Sequence, residues 1–130
     1  VIVPDASVLV EVLLRTAAGR NVSDRLLADD QTLHVPELVD VEVAQVLRRY
    51  TLGGSIREHR GAEALEDLRR FPMERYGHRV LLLRNWELRE NVSAYDAAYL
   101  ALAEALDAPL WTRDSALADV PGVGAPVELV

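Results

Sequence analysis

Four carboxylates in this sequence, Asp5, Glu42, Asp96 and Asp114, follow apolar strands or sit on apolar helices, and none of them has a cation three or four residues away. Glu42 lies in "PELVDVEVAQVL", where its neighbours at helical spacing are Leu38, Val39, Gln45 and Val46. Asp96 opens "SAYDAAYLALAEAL", a segment with Glu104 as its one charge between Ala97 and Leu106. A helix apolar on every side belongs inside a protein, so an acid at its start needs a reason. An unpaired buried charge costs several kcal/mol, against a total stability of about 5–15 kcal/mol for a whole domain. If the four acids converge, something must neutralise them. A hard divalent cation such as Mg2+ or Mn2+ does so with oxygen ligands and sits naturally among carboxylates, water and substrate phosphates. Phosphodiester cleavage by metal-activated water is the chemistry such a set would support.

Each acid also has a plainer role open to it. Asp5 follows the apolar run "VIVP" and Asp114 follows "PLWTR", and both positions suit a helix N-cap, worth about 1 kcal/mol. Ser93-x-x-Asp96 has the form of a capping box. Glu42 fits an acid at the edge of an apolar stripe, bonded to a distant arginine. Asp119 reads as helix surface, with a fifth, peripheral acid as the other possibility.

The elements that must position these residues alternate along the chain. "VIV" reads as a buried strand ended by Pro4, followed by a helix over 7–17 and a short one over 21–30. "TLHV" (32–35) is a second strand, with Pro36 placed in the first turn of a helix that runs to Gly53 and Gly54. Ser55 is a candidate N-cap for the next helix, which ends before Pro72. "MERYG" (73–77) is a candidate strand, and "HRVLLLRNWELREN" and "SAYDAAYLALAEAL" are long helices. "APLWT" and "PVELV" complete the strands, separated by the helical turn "RDSALADV" and the turn "PGVG". Strands alternating with helices predict a single α/β domain over 1–130 with a mainly parallel sheet covered on both faces. Ligands of such sheets bind outside the carboxyl ends of the strands, where strand order reverses. Asp5 and Asp114 would share one crevice if their strands are neighbours at that reversal.

Composition narrows the field. The chain has 130 residues, half of them hydrophobic, no cysteine and a net charge of −7. Disulfides and thiolate zinc sites are excluded, and a reducing cytoplasm is the expected location. No apolar run reaches the roughly 18 residues of a membrane span. The start has no signal-peptide character, and the missing initiator Met suggests trimming before Val1. His34, His59 and His78 show no metal-ligand spacing. All fourteen cations are arginine, and ten of them lie between Arg48 and Arg89, where only six acids occur. This middle segment is either a set of solvated helix faces or a phosphate track. Arg48 and Arg49, at the end of the helix that carries Glu42, are the first candidates for phosphate contacts.

The segments "VPDASVLV", "ELVDVEVAQVL", "SAYDAAYLALA" and "PLWTRDSAL", in this order and spacing, resemble PIN-domain nucleases, in particular the VapC-type toxins of bacterial toxin–antitoxin pairs. The resemblance spans nearly the whole chain. It implies a parallel five-stranded sheet flanked by helices, with an acidic quartet on Asp5, Glu42, Asp96 and Asp114. Ser7 and Thr112 match the small hydroxyl residues that support such a site. The implied activity is Mg2+- or Mn2+-dependent cleavage of RNA, neutralised by a small cognate VapB-type antitoxin, commonly in a homodimer. Pro4 stands where many relatives carry an apolar or small residue.

Other acidic-site enzymes fit less well. A phosphoryl-accepting receiver domain needs a lysine, and the chain has none. A haloacid-dehalogenase-like phosphatase places an acid two residues after its nucleophile, where Ser7 stands here. Neither a GxSxG elbow nor a phosphate-binding P-loop occurs. The main alternative is a PIN-like module that binds RNA or protein and has no toxin role.

Overall fold

The computed structural model describes residues 1–130. The chain runs β1 (Val3–Pro4), α1 (Ala6–Leu13), α2 (Ala17–Leu26), β2 (Leu33–Pro36), α3 (Leu38–Leu52), α4 (Glu58–Arg70), β3 (Met73–Tyr76), α5 (Leu82–Glu87), α6 (Ala94–Leu106), β4 (Leu110–Thr112) and β5 (Val127–Leu129). Short 3-10 turns occupy Arg79–Leu81 and Ser115–Leu117.

All strand pairs are parallel. β1 pairs with β4 (Val3 with Leu110, Pro4 with Trp111), and β4 pairs with β5. On the other side, β2 pairs with β3 from Leu33–Met73 to Pro36–Tyr76. The two groups join through Ile2 and Leu33. There the Ile2 N–H donates to the Thr32 carbonyl at 2.9 Å, and the His34 N–H donates to the Ile2 carbonyl at 3.0 Å. The resulting order is β3-β2-β1-β4-β5. It reverses between β1 and β4, the position at which open α/β sheets bind ligands.

Side chains from the strands and helices meet in one core, built on Val3, Leu9, Val35, Val43, Leu100 and Leu110. Helix α6 lies against β1, β2 and β4 with α5 packed on it, while α1 packs on α2 and α3, and α3 on α4. Residues Ala97 to Ala103 of α6 are all buried, which accounts for its uniformly apolar sequence. No helix is long and apolar enough to cross a membrane.

Several boundaries differ from the sequence-based expectation. Pro36 ends β2 instead of opening the helix, because the β2–β3 ladder continues to Tyr76. The N-terminus of α3 is satisfied from a distance, by His78 Nε2 accepting from the Leu38 N–H at 2.9 Å. Helix α2 starts at Ala17, before the expected 21, since the Thr16 hydroxyl accepts from the Gly19 N–H at 3.0 Å. A Cβ at Gly19 would overlap the Glu11 carbonyl, so α1 and α2 approach this closely only because residue 19 is glycine. Ser55 does not cap α4; its N–H donates to the Tyr50 carbonyl at 2.8 Å in the turn that closes α3. Arg57 takes the N-cap position without a side-chain bond. The expected helix over 78–91 breaks into a 3-10 turn and the six-residue α5. Leu81 and Leu88 are its buried anchors, whereas Val80, Leu82, Leu83 and Trp86 face outward. Its apolar residues therefore share no single buried face, and Asn85 Nδ2 instead donates to the Ala94 carbonyl at 2.7 Å at the entry to α6.

Candidate functional site

Asp5 lies one residue beyond β1, with its N–H donating to the Trp111 carbonyl at 3.0 Å. Its carboxylate is pinned on both oxygens. Ser7 Oγ donates to Oδ1 at 2.5 Å, the Val8 N–H donates to the same oxygen at 3.2 Å, and Thr112 Oγ1 donates to Oδ2 at 2.5 Å. Asp5 thus caps α1, as an N-cap should, while remaining attached to β4. Only 7 % of it is exposed. Burial raises its pKa, and the hydroxyl and amide bonds offset this in part.

Glu42 projects from α3 and receives the Tyr99 hydroxyl on Oε1 at 2.5 Å. Its pKa is raised by burial first, then by the charges of Asp96 and Asp5, with the Tyr99 bond acting in the opposite sense. Asp96 stands in the first turn of α6, where its N–H donates to Ser93 Oγ at 3.2 Å. Its pKa is also raised, by burial and then by Asp114 and Asp5. Asp114 begins the turn after β4. Its N–H donates to Thr112 Oγ1 at 3.0 Å, and its Oδ1 accepts from the Ala116 N–H at 2.9 Å.

The four acids therefore lie around the strand reversal, where the charges of Asp96 and Asp5 reach Glu42 and those of Asp114 and Asp5 reach Asp96. Arginines form seven ion pairs elsewhere, and none of these includes a member of the quartet. The Glu42 expectation of a distant arginine partner is replaced by Tyr99. In these rotamers no three His, Asp or Glu side chains converge into a finished ligand shell. What the fold supplies is a set of oxygen donors whose mutual repulsion a divalent cation would relieve, which fits Mg2+ or Mn2+ chemistry.

Tyr99 is a residue the sequence reading did not single out. It is 1 % exposed, and a tyrosine buried in an apolar helix must place its hydroxyl on a partner; that requirement was its signal. Burial first, and the neighbouring acids next, hold its phenol well above the ordinary range, so it stays protonated and acts as a donor. Asp119 is exposed in the turn that follows Leu117. Arg48 and Arg49 are separated by helical geometry. Arg49 lines a cavity of about 380 Å3 with Glu42 and a notch of about 190 Å3 with Ser7, and Arg48 lines neither. A cavity of about 630 Å3 among α1, α2 and α4 contains none of the four acids.

A parallel sheet of order 3-2-1-4-5, with carboxylates gathered at its reversal, defines the class of protein. The chain belongs to the PIN-domain family, whose model matches residues 2–123. Ribonuclease VapC9 of Mycobacterium tuberculosis is 42% identical over 129 residues, covering 99% of this chain and 98% of the relative. In fold, the chain is similar to VapBC2 from Rickettsia felis bound to a DNA fragment from their promoter. That match has a TM-score of 0.71 and 15% identity, and covers 98% of this chain and 97% of that one. A toxin–antitoxin complex from Klebsiella pneumoniae matches with a TM-score of 0.65 and 23% identity, over 98% and 99% of the two chains.

Proposed function

We propose that this chain is a VapC-type toxin, an endoribonuclease that cleaves RNA phosphodiester bonds with Mg2+ or Mn2+ and is neutralised by a cognate VapB-type antitoxin. The observation that carries the reading is a set of four carboxylates around the strand reversal of a PIN domain, none of them in an ion pair with an arginine. The full-length similarity to a relative named as a ribonuclease supports the substrate, and likeness to a toxin–antitoxin complex supports the partner. Cytoplasmic action and a homodimer belong to the same reading. The outward-facing Val80, Leu83 and Trp86 are apolar surface compatible with self-association.

Asp5 and Asp96 would hold the principal ion, with Glu42 and Asp114 completing the site directly or through water. A divalent cation there supplies an activated water and offsets charge on the phosphate. The residues of the chain set the geometry. Ser7 and Thr112 fix the plane of the Asp5 carboxylate, and Tyr99 fixes Glu42 and leaves Oε2 free.

Inducing the chain in a bacterial host should arrest growth with fragmentation of RNA, and co-expressing the small protein encoded beside its gene should restore growth. Growth arrest without RNA fragmentation would reject the nuclease reading. Failure of the neighbour to form a complex would reject the toxin–antitoxin part alone.

Tyr99→Phe isolates one positioning contact. Outer partners of acidic ligands typically matter by roughly 10- to 100-fold in metal affinity or activity, and a loss in that range is expected for cleavage. Because the Tyr99 bond lowers the Glu42 pKa, its removal should also move the acid limb of the pH–rate profile to higher pH. An unchanged profile would show that Tyr99 serves packing only.

A further inference from the structure

Helix α5 is built inside out. None of its own residues is buried, and its large apolar side chains, Leu82, Leu83 and Trp86, are 57, 84 and 67 % exposed. What it turns toward the protein is polar. Arg84 Nε and Nη2 donate to the two Glu104 carboxylate oxygens at 2.8 and 3.1 Å, and Nη2 also donates to the Gly122 carbonyl at 2.5 Å. Asn85 Nδ2 donates to the Ala94 carbonyl at 2.7 Å. Glu104 is the single charge between Ala97 and Leu106. Its hydrogen bonds with Arg84 hold its carboxyl below the ordinary range, so the pair is ionised at neutral pH. Ala94 and Glu104 stand near the two ends of α6, about 15 Å apart at 1.5 Å per residue.

An apolar helix in a core has little to fix its place along its own axis. Hydrophobic burial is non-directional, and Ala97, Ala98, Ala101 and Ala103 bury small, similar surfaces. Hydrogen bonds are directional and do fix it. Those that tie α6 to other elements are Tyr99 on Glu42, Asn85 on the Ala94 carbonyl, and Arg84 and the Gly124 N–H on Glu104. Helix α5 thus grips α6 at both ends, and is itself anchored by the buried Leu81 and Leu88 that flank it. Asp96 lies two residues after the Ala94 grip, and a ligand position must be held to about 0.5 Å.

We propose that α5 is a brace for α6, and that Asn85 and Arg84 are positioning residues that hold Asp96 where it can ligate a divalent cation. The proposal rests on the metal reading of Asp96 and adds to it the element that seats the ligand. Asn85 acts through the α6 backbone and Arg84 through Glu104; neither is hydrogen-bonded to one of the four acids.

The test pairs Mn2+ titration by calorimetry with amide hydrogen exchange of the metal-free chain. Asn85→Ala and Arg84→Gln should each weaken Mn2+ binding by about tenfold, the lower end of what outer partners of metal ligands contribute. Each should also speed exchange in the first turns of α6, beginning with the Ala97 N–H that donates to the Ser93 carbonyl at 2.9 Å. Arg60→Gln is the control. It removes a guanidinium-to-carbonyl bond between α4 and the end of α1, Arg60 Nη2 on Leu13 at 2.7 Å. It should lower the melting temperature while Mn2+ affinity and α6 exchange stay at wild-type values. Brace variants that lose stability as the control does, yet bind Mn2+ as the wild type does, would overturn the proposal and leave the metal reading standing. Weaker Mn2+ binding without faster α6 exchange would also overturn it, because the effect would then arise outside α6. If Arg84→Gln does not fold, Asn85→Ala, which removes one neutral hydrogen bond, decides the question alone. A wild type that binds no Mn2+ would overturn this proposal and the metal reading together.

Discussion

Asp96→Asn should remove Mn2+ binding measured by calorimetry, at least to the roughly 10- to 100-fold extent typical of disturbed metal sites, and should abolish RNA cleavage. The fold should persist, because the contact that starts α6 is the Asp96 backbone N–H on Ser93 Oγ, which asparagine retains. Stability gives an independent check with a defined sign. Asp5, Glu42 and Asp96 all have raised pKa values, so the folded chain binds their protons more tightly than the unfolded chain does. That contribution to stability is fully present below the ordinary carboxylate range and is lost as pH rises through the raised values. At neutral pH the metal-free wild type therefore carries a partly buried charge, and repulsion from Asp114 and Asp5, that Asp96→Asn removes. The variant should melt above metal-free wild type near pH 7, and the difference should vanish as pH falls into the ordinary carboxylate range. Adding Mn2+ should reverse the order, since it stabilises only the chain that binds it. Unchanged Mn2+ affinity, or a variant less stable at neutral pH in EDTA, would remove Asp96 from the site.

EDTA should stop cleavage completely, and Mg2+ or Mn2+ should restore it, with products that carry a 5′-phosphate and a 3′-hydroxyl. Ribonucleases that use the RNA 2′-hydroxyl as nucleophile generally depend on a side-chain acid and base, often histidine. No histidine accompanies the quartet. His34 Nδ1 is hydrogen-bonded with the Tyr76 hydroxyl at 2.7 Å and its Nε2 with Thr32 Oγ1 at 2.9 Å. His78 caps α3, and His59 is exposed on α4. Substituting each should leave the chemistry intact, although His78→Ala should cost about 1 kcal/mol of stability through the lost helix cap. Direct ligation of the downstream fragment, without prior phosphorylation, identifies the 5′-phosphate. A 2′,3′-cyclic phosphate formed in EDTA would exclude attack by metal-activated water.

Two of the four candidate acids stood out from local pattern, whereas Asp5 and Asp114 entered through their places at strand ends and through the family resemblance. A carboxylate on an apolar stripe, as at Glu42, or at the head of an all-apolar helix, as at Asp96, contradicts its surroundings, and that contradiction is visible within a few residues of sequence. The alternation of elements was legible for the same reason, because helix and strand periods are short-range. Strand order is not short-range. Only the folded chain brings β1 beside β4 across more than a hundred residues, giving Asp5 the Thr112 hydroxyl on which the Asp114 N–H also sits. The Tyr99–Glu42 bond spans 57 positions, and the His78 cap on α3 spans 40; neither leaves a trace in local spacing. Arg48 and Arg49 are adjacent in sequence, yet roughly 100° of helical rotation sets Arg49 on the Glu42 face and Arg48 off it. Glu42 and Asp96 could be read from the sequence as candidates because each is anomalous where it stands; the partners of the acids could not, because each partner is ordinary where it stands and acquires its role through a contact that tertiary packing alone creates.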